Sequence, residues 1–430
     1  MSHYQLLKST FIYTVTDSIA KAIPFILLPI VARYLTSSDY GILTNFSVIV
    51  QILLAVCALN TYSALSVSYY QQTEETLSGY LSNLVYLIVL LGLICLAVSN
   101  LFSNVIYRYS GVSRLWQDLA LLAAVSTAIF SLYTSLLRMQ TRVVLFSGFQ
   151  IFQALISALL AIALVVYLQW KWQGRALSIA LAAAITMVLS LALMWKGRYL
   201  FGKVSGSQMK SAFFFGLPLL PHTLSFWFKS GMDKIIITNH VGLSANGVYS
   251  IALTMGGLIG IFTGSFFNAY TPSMFKDLTT IDLVSEPEAM VIKRKLVKIT
   301  YLYSLALLAV CVFSYFAMRF VIPFIFRGDY LGAVKFMPLL MTALYFEGMY
   351  SIVSGYIFFR RKTKVLGVIT FGSSMVQMLL TLVCVRNFGV MGAVYSSSTV
   401  ALVTFLAVFA YTNTLYRIPW GLNMFRPATR

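Results

Sequence analysis

The 430-residue sequence predicts an all-α integral membrane protein, with twelve transmembrane helices in two six-helix bundles around a central cavity. Three observations carry that prediction. The chain is 59% hydrophobic and 10% charged, with a mean hydropathy of +0.84, whereas soluble domains carry about 25% charged residues. Apolar runs of about twenty residues, the length that crosses a bilayer, recur throughout the chain. The second half also repeats features of the first.

The spans follow in order. The first, near 10–33, is interrupted by Pro24 and Pro29 and carries Asp17 and Lys21. Spans near 41–68 and 80–102 flank the polar stretch YYQQTEETLSG (69–79). The fourth, near 116–137, ends at Arg138 and Arg142, and the fifth, near 143–168, ends at Trp170 and Trp172. The sixth lies near 175–195. The seventh, near 211–238, contains Pro218, Pro221 and the charged stretch SFWFKSGMDKIIITNHVG (225–242). The eighth, near 245–271, places Gly256, Gly260 and Gly264 on one face, a spacing that lets a neighbouring helix approach closely. The last four lie near 297–322, 332–359, 365–385 and 390–416, and the longest polar connection runs from Phe275 to Lys298.

Orientation follows from Lys and Arg, which concentrate in cytoplasmic loops. With the N-terminus inside, nineteen of the 31 fall inside, nine outside, and Lys21, Lys229 and Lys234 remain within spans. The bias puts both termini in the cytoplasm. Arg175 belongs to the outer set on this assignment. Trp116, Trp170, Trp172, Trp195 and Trp420 fall near span ends, as interfacial aromatic belts require. Cys57, Cys95, Cys311 and Cys384 are far apart in apolar runs and read as small core residues rather than disulfides. The N-terminus does not read as a cleavable signal, because its apolar run is long and contains Asp17 and Lys21.

The internal repeat sets the division of the chain. YLTSSDYGIL (34–43) matches HVGLSANGVY (240–249), with Ser38 and Gly41 falling on Ser244 and Gly247. LLKSTFIY (6–13) matches QMKSAFFF (208–215), and both leading helices carry two prolines. The expected halves are 1–204 and 205–430. Repeats with interrupted helices at corresponding positions point to a transporter site near the bilayer midplane.

The stretches LLKSTFIYTVTDSIAKAIPFILLPIVARYLTSSDYGIL (6–43) and SGMDKIIITNHVGLSANGVYSIA (230–252) resemble bacterial polysaccharide exporters, the O-antigen flippase (Wzx) family of the multidrug/oligosaccharidyl-lipid/polysaccharide (MOP) superfamily. The resemblance implies a bacterial inner-membrane flippase. It would carry a polyprenyl-diphosphate-linked oligosaccharide from the cytoplasmic to the periplasmic leaflet by alternating access, coupled to an ion gradient. The partners it implies are the lipid bilayer, a glycan polymerase and a chain-length regulator, with no nucleic acid.

Physical reasoning supplies candidate sites. A diphosphate cannot cross hydrocarbon unaided, so its path needs water and cations. Lys21, Lys229 and Lys234 are candidate substrate cations, with Trp227 as an aromatic face for sugar. Asp17, Asp233 and Glu347 are candidates for ion coupling or gating. Asp17–Lys21 and Lys229–Asp233 each have i,i+4 spacing, so the competing reading is a pair of locally neutralised charges. Arg138, Arg142, Arg360 and Arg361 mark a cytoplasmic entrance, although RRKTK (360–364) and KRKLVK (293–298) also read as topology signals facing anionic lipid.

An enzyme of glycan assembly, such as a polymerase or ligase, would show a long outer loop with catalytic side chains, and none is visible. A multidrug exporter would favour acidic residues for cationic drugs. A peptidoglycan-precursor flippase would often carry two further helices. There is no P-loop, no metal-ligand spacing and no expected cofactor.

Overall fold

The computed structural model describes residues 3–71, 73–200, 202–326, 328–416 and 418–420. The side chains of Asp17 and Lys21 lie outside the described residues, so both assignments rest on sequence alone. The chain forms two compact units, residues 1–250 and 251–430. Among the described residues, ten helical segments are long and apolar enough to cross a membrane. The other two expected spans correspond to the first helix and to a broken run over residues 206–240.

In unit 1, α1 (His3–Ala32) continues through Pro24 and Pro29. Helix α2 (Ser37–Ala58) begins at a capping box, in which Thr36 and Asp39 bond each other's backbone amides. Leu59 and Asn60 take left-handed φ angles of 39° and 53°, which separates α2 from α3 (Thr61–Ser68) within one span. Then follow α4 (Glu74–Leu101), α5 (Ser103–Ser110), α6 (Arg114–Met139), α7 (Val143–Ala161) and α8 (Lys171–Lys196). The seventh span is not one helix. Pro218 sits in a 3-10 turn and Pro221 in the first turn of α10, giving α9 (Gly206–Gly216), α10 (Leu220–Ser230) and α11 (Met232–His240).

Leu81, Leu84 and Ile88 of α4 pack with Leu132, Leu136 and Leu137 of α6 in the core of unit 1. Leucine gains little by leaving lipid for protein, so close packing rather than water exclusion holds this core. Cys57 and Cys95, distant in sequence, meet as free thiols in a small cluster with Leu121. The expected aromatic belt is only partly realised. Trp195 is exposed, whereas Trp116 and Trp172 pack with ring centroids 4.9 Å apart, and Trp172 is buried.

Helix α12 (Leu243–Ile281) starts in unit 1 and continues into unit 2, which adds α13 (Glu286–Ile325), α14 (Met337–Phe359), α15 (Thr363–Phe388) and α16 (Val390–Tyr416). Within unit 2, α14 and α15 pack on α16, and α13 packs on α14. The long polar connection expected over 275–298 is instead mostly helix. At about 1.5 Å per residue, the 39 residues of α12 reach about 58 Å, against a hydrocarbon core of about 30 Å. Lys295 Nζ and Asp277 Oδ2 clamp the two helical extensions at 2.7 Å. The glycine face of α12 is also corrected: a side chain at Gly256 would meet Leu344, but Gly260 and Gly264 face open space.

Candidate functional site: a seam and a polar cavity in unit 1

The repeat motifs, 206 residues apart, meet each other. A methyl group on Gly41 would strike the Leu243 carbonyl, and one on Gly247 would strike the Ser37 carbonyl. The contact is reciprocal, because Ser37 and Leu243 are themselves related by the repeat offset. Only glycine lets the first turns of α2 and α12 approach this closely. Ser37 Oγ and Ser244 Oγ close the seam at 2.7 Å.

A buried amide network backs it. Asn246 donates to the Gly41 carbonyl at 3.2 Å and to Asn45 Oδ1 at 2.9 Å. Asn45 donates in turn to the Ser110 carbonyl and to Thr238 Oγ1. Both asparagines are fully buried, and every such bond matters in a setting without water to replace it. Sequence reasoning passed over both residues, since single asparagines in apolar runs carry no spacing signal.

Asp233 lies beside this network. Its Oδ2 accepts from Tyr249 Oη at 2.5 Å, and its Oδ1 accepts from the Lys234 amide at 2.8 Å. Among the described residues no ion pair joins it to Lys229. The i,i+4 spacing brings Lys229 and Asp233 together only on a continuous helix, whereas α10 and α11 are separated at Gly231. Tyr249→Phe should lower stability by about 1–3 kcal/mol through the loss of a buried donor; thermal unfolding in detergent measures it.

Toward the other end of α2 lies a cavity of about 420 Å³, within the usual range for ligand pockets. It is walled by α2, α3, α6, α7 and α10. Gln51, Asn60 and Gln150 contribute amides, Tyr62 and Thr223 hydroxyls, and Trp227 an indole ring. Among the described residues, Arg138 is the one charged residue of the lining. The wall is internally braced: Asn60 donates to Thr223 Oγ1, and Tyr62 Oη donates to Asn60 Oδ1, both at 3.2 Å. The Arg138 guanidinium lies 5.4 Å from the centre of the Phe146 ring, a cation–π contact that steadies it without neutralising it. Gly231 provides the notch for Trp227, since a methyl there would strike indole Nε1.

The cavity therefore brings together Trp227 and Arg138, two of the candidate residues. Lys229 and Lys234 do not line it. Arg142 is exposed at the start of α7. In unit 2, Glu347 is half-buried on α14. Arg360 binds Asp282 at 2.8 Å and stacks on Tyr416 at 4.6 Å, which ties its charge to a structural contact. Arg361 is exposed in a left-handed turn with φ 56°.

Residues 6–277 match the family model described as polysaccharide biosynthesis protein. A Haemophilus influenzae protein described as Lsg locus putative protein 1 is 23% identical, with 88% of this chain and 92% of that protein aligned. An uncharacterized membrane protein of the same organism is 21% identical, covering 87% of this chain and 89% of its own. Among solved structures, an inward-facing multidrug resistance MATE family transporter of the MOP superfamily superposes with a TM-score of 0.71. That match has 15% identity over 95% of this chain and 96% of the other. A MOP superfamily transporter from Pyrococcus furiosus superposes with a TM-score of 0.64 at 14% identity, over 95% and 96% of the two chains. By sequence the chain belongs to the polysaccharide biosynthesis protein family, and its fold is similar to that of MOP superfamily transporters.

Proposed function

We propose that the protein is a flippase for a polyprenyl-diphosphate-linked oligosaccharide, an O-antigen or related surface glycan unit. It moves the unit from the cytoplasmic to the periplasmic leaflet of the bacterial inner membrane. The observation that carries this reading is the cavity wall, whose described residues supply amides, hydroxyls, an indole and the cation Arg138. Sugar hydroxyls pair with amides and hydroxyls, sugar faces stack on aromatic rings, and an anionic linkage needs a cation. A guanidinium in the wall disfavours cationic drugs, because a cation taken out of water needs an opposite charge.

In the proposed topology both termini are cytoplasmic and the repeat halves are 1–204 and 205–430. The Gly41–Gly247 seam is then the outer gate, closed in this conformation, and alternating access requires it to part. Asp233 and Tyr249, next to the seam, are placed to couple gating to an ion, with Asp17 and Glu347 as further candidates. Lys21, Lys229 and Lys234 remain proposed cations along the path, Arg142 and Arg361 proposed contacts at its cytoplasmic entrance.

Deletion of the gene tests the reading. Surface glycan should fall to background, while lipid-linked repeat units accumulate and stay accessible only from the cytoplasmic side. Accumulation of unpolymerised units on the periplasmic side would instead indicate a later assembly step, and would sink the proposal.

A further inference from the structure

Arg175 is not in a loop. It lies in the second turn of α8, and its Nη1 donates to Ser157 Oγ and Ser178 Oγ, both at 3.0 Å. Among the described residues no carboxylate pairs with it. The two serines orient the guanidinium, but they are neutral. A cation inside a span without an opposite charge calls for one from elsewhere. Nη1 is the nitrogen held by the serines, which leaves the rest of the planar fork for a bidentate oxyanion.

A polar stripe connects this residue with the cavity. On α7, Gln150 lines the cavity, Gln153 donates to Thr186 Oγ1, and Ser157 holds Arg175. Positions 150, 153 and 157 are spaced i, i+3, i+7 and share one helix face. Seven residues at about 1.5 Å each put Ser157 about 10 Å along α7 from Gln150.

We propose that Arg175, held by Ser157 and Ser178, is an anion subsite that takes a phosphate-type oxyanion. The oxyanion has two sources: the diphosphate of the lipid-linked substrate, advancing along the α7 stripe, or a free inorganic ion. The first source rests on the transport function proposed above, whereas the site itself does not.

The test uses the full-length protein in nanodiscs of zwitterionic lipid. Binding of sugar-free undecaprenyl diphosphate and of sodium pyrophosphate is titrated for wild type, Arg175→Gln and Arg175→Lys. The expected result is at least a tenfold loss of affinity in Arg175→Gln, largely restored in Arg175→Lys. A loss for undecaprenyl diphosphate assigns the site to substrate, and a loss for pyrophosphate alone assigns it to a free ion. If Arg175→Gln does not fold, the Ser157→Ala/Ser178→Ala double variant keeps the charge but frees the guanidinium, and should bind at least threefold more weakly. Unchanged binding in the variants, or a wild type that binds neither probe, overturns the proposal and leaves Arg175 as a clip between α7 and α8. A wild type that binds pyrophosphate through Arg175 yet moves no lipid-linked oligosaccharide sinks the transport reading alone.

Discussion

Gly41→Ala and Gly247→Ala should each reduce transport at least tenfold while leaving the protein at normal levels in the membrane. Two effects of opposite sign compete at these positions. Alanine favours a helix over glycine by about 1 kcal/mol. Each new methyl, however, would collide with a backbone carbonyl of the facing helix, which has no side chain to swing away. Overpacking of this kind costs about 1–3 kcal/mol, and it applies only while the seam is closed. The helix gain applies in both states and cancels from the equilibrium between them. About 1.4 kcal/mol shifts that equilibrium tenfold. A disulfide reports the shift directly: Ser37→Cys/Ser244→Cys should cross-link readily in the parent, since the two hydroxyl oxygens lie 2.7 Å apart. Adding Gly247→Ala should lower the yield. Full transport with unchanged cross-linking would show that the seam neither closes nor opens during the cycle.

Trp227→Ala should lower transport about thirtyfold, and Trp227→Phe much less. Truncating a buried aromatic anchor at a binding surface costs about 2 kcal/mol or more. The ring forms part of the cavity wall and packs edge-on against Phe228, with centroids 4.9 Å apart. A sugar-stacking role predicts a specific pattern. Trp227→Ala should weaken binding of the lipid-linked oligosaccharide but not of the sugar-free lipid diphosphate, whereas Arg138→Gln should weaken both, since both carry the diphosphate. Equal losses for both ligands in Trp227→Ala would indicate a structural ring instead.

The glycines of the seam were legible in the sequence as a repeated position, but the contact between them was not. The repeat sets Gly41 and Gly247 in register, and only the fold brings the two turns together. Trp227 stood out as a tryptophan inside a charged span, and Arg138 as a cation at the cytoplasmic end of the fourth. What escaped was governed by chain direction and depth. Arg175 falls in the outer set because the sixth span is expected to begin there, near 175, yet α8 starts at Lys171 and carries it inward. An arginine followed three residues later by serine was the available signal. Lys229 and Asp233 misled for the opposite reason: their spacing is helical, but Gly231 and the prolines before it divide the span into short helices. The polar run after Phe275 looked like a loop because it leaves the hydrocarbon, whereas helix continues wherever backbone bonds and ion pairs such as Asp277–Lys295 sustain it. Asn45 and Asn246 needed the fold itself, since each is explained by a partner about 200 residues away.

The central claim, movement of a lipid-linked glycan across the membrane, is tested most directly by reconstitution. The purified protein is placed in liposomes that hold a radiolabelled polyprenyl-diphosphate oligosaccharide in the inner leaflet. Its appearance outside is followed with a membrane-impermeant glycan-cleaving enzyme. The account predicts protein-dependent release that Gly247→Ala and Trp227→Ala both slow at least tenfold. Release no faster than from protein-free liposomes, with the wild type folded and under an imposed ion gradient, would contradict it.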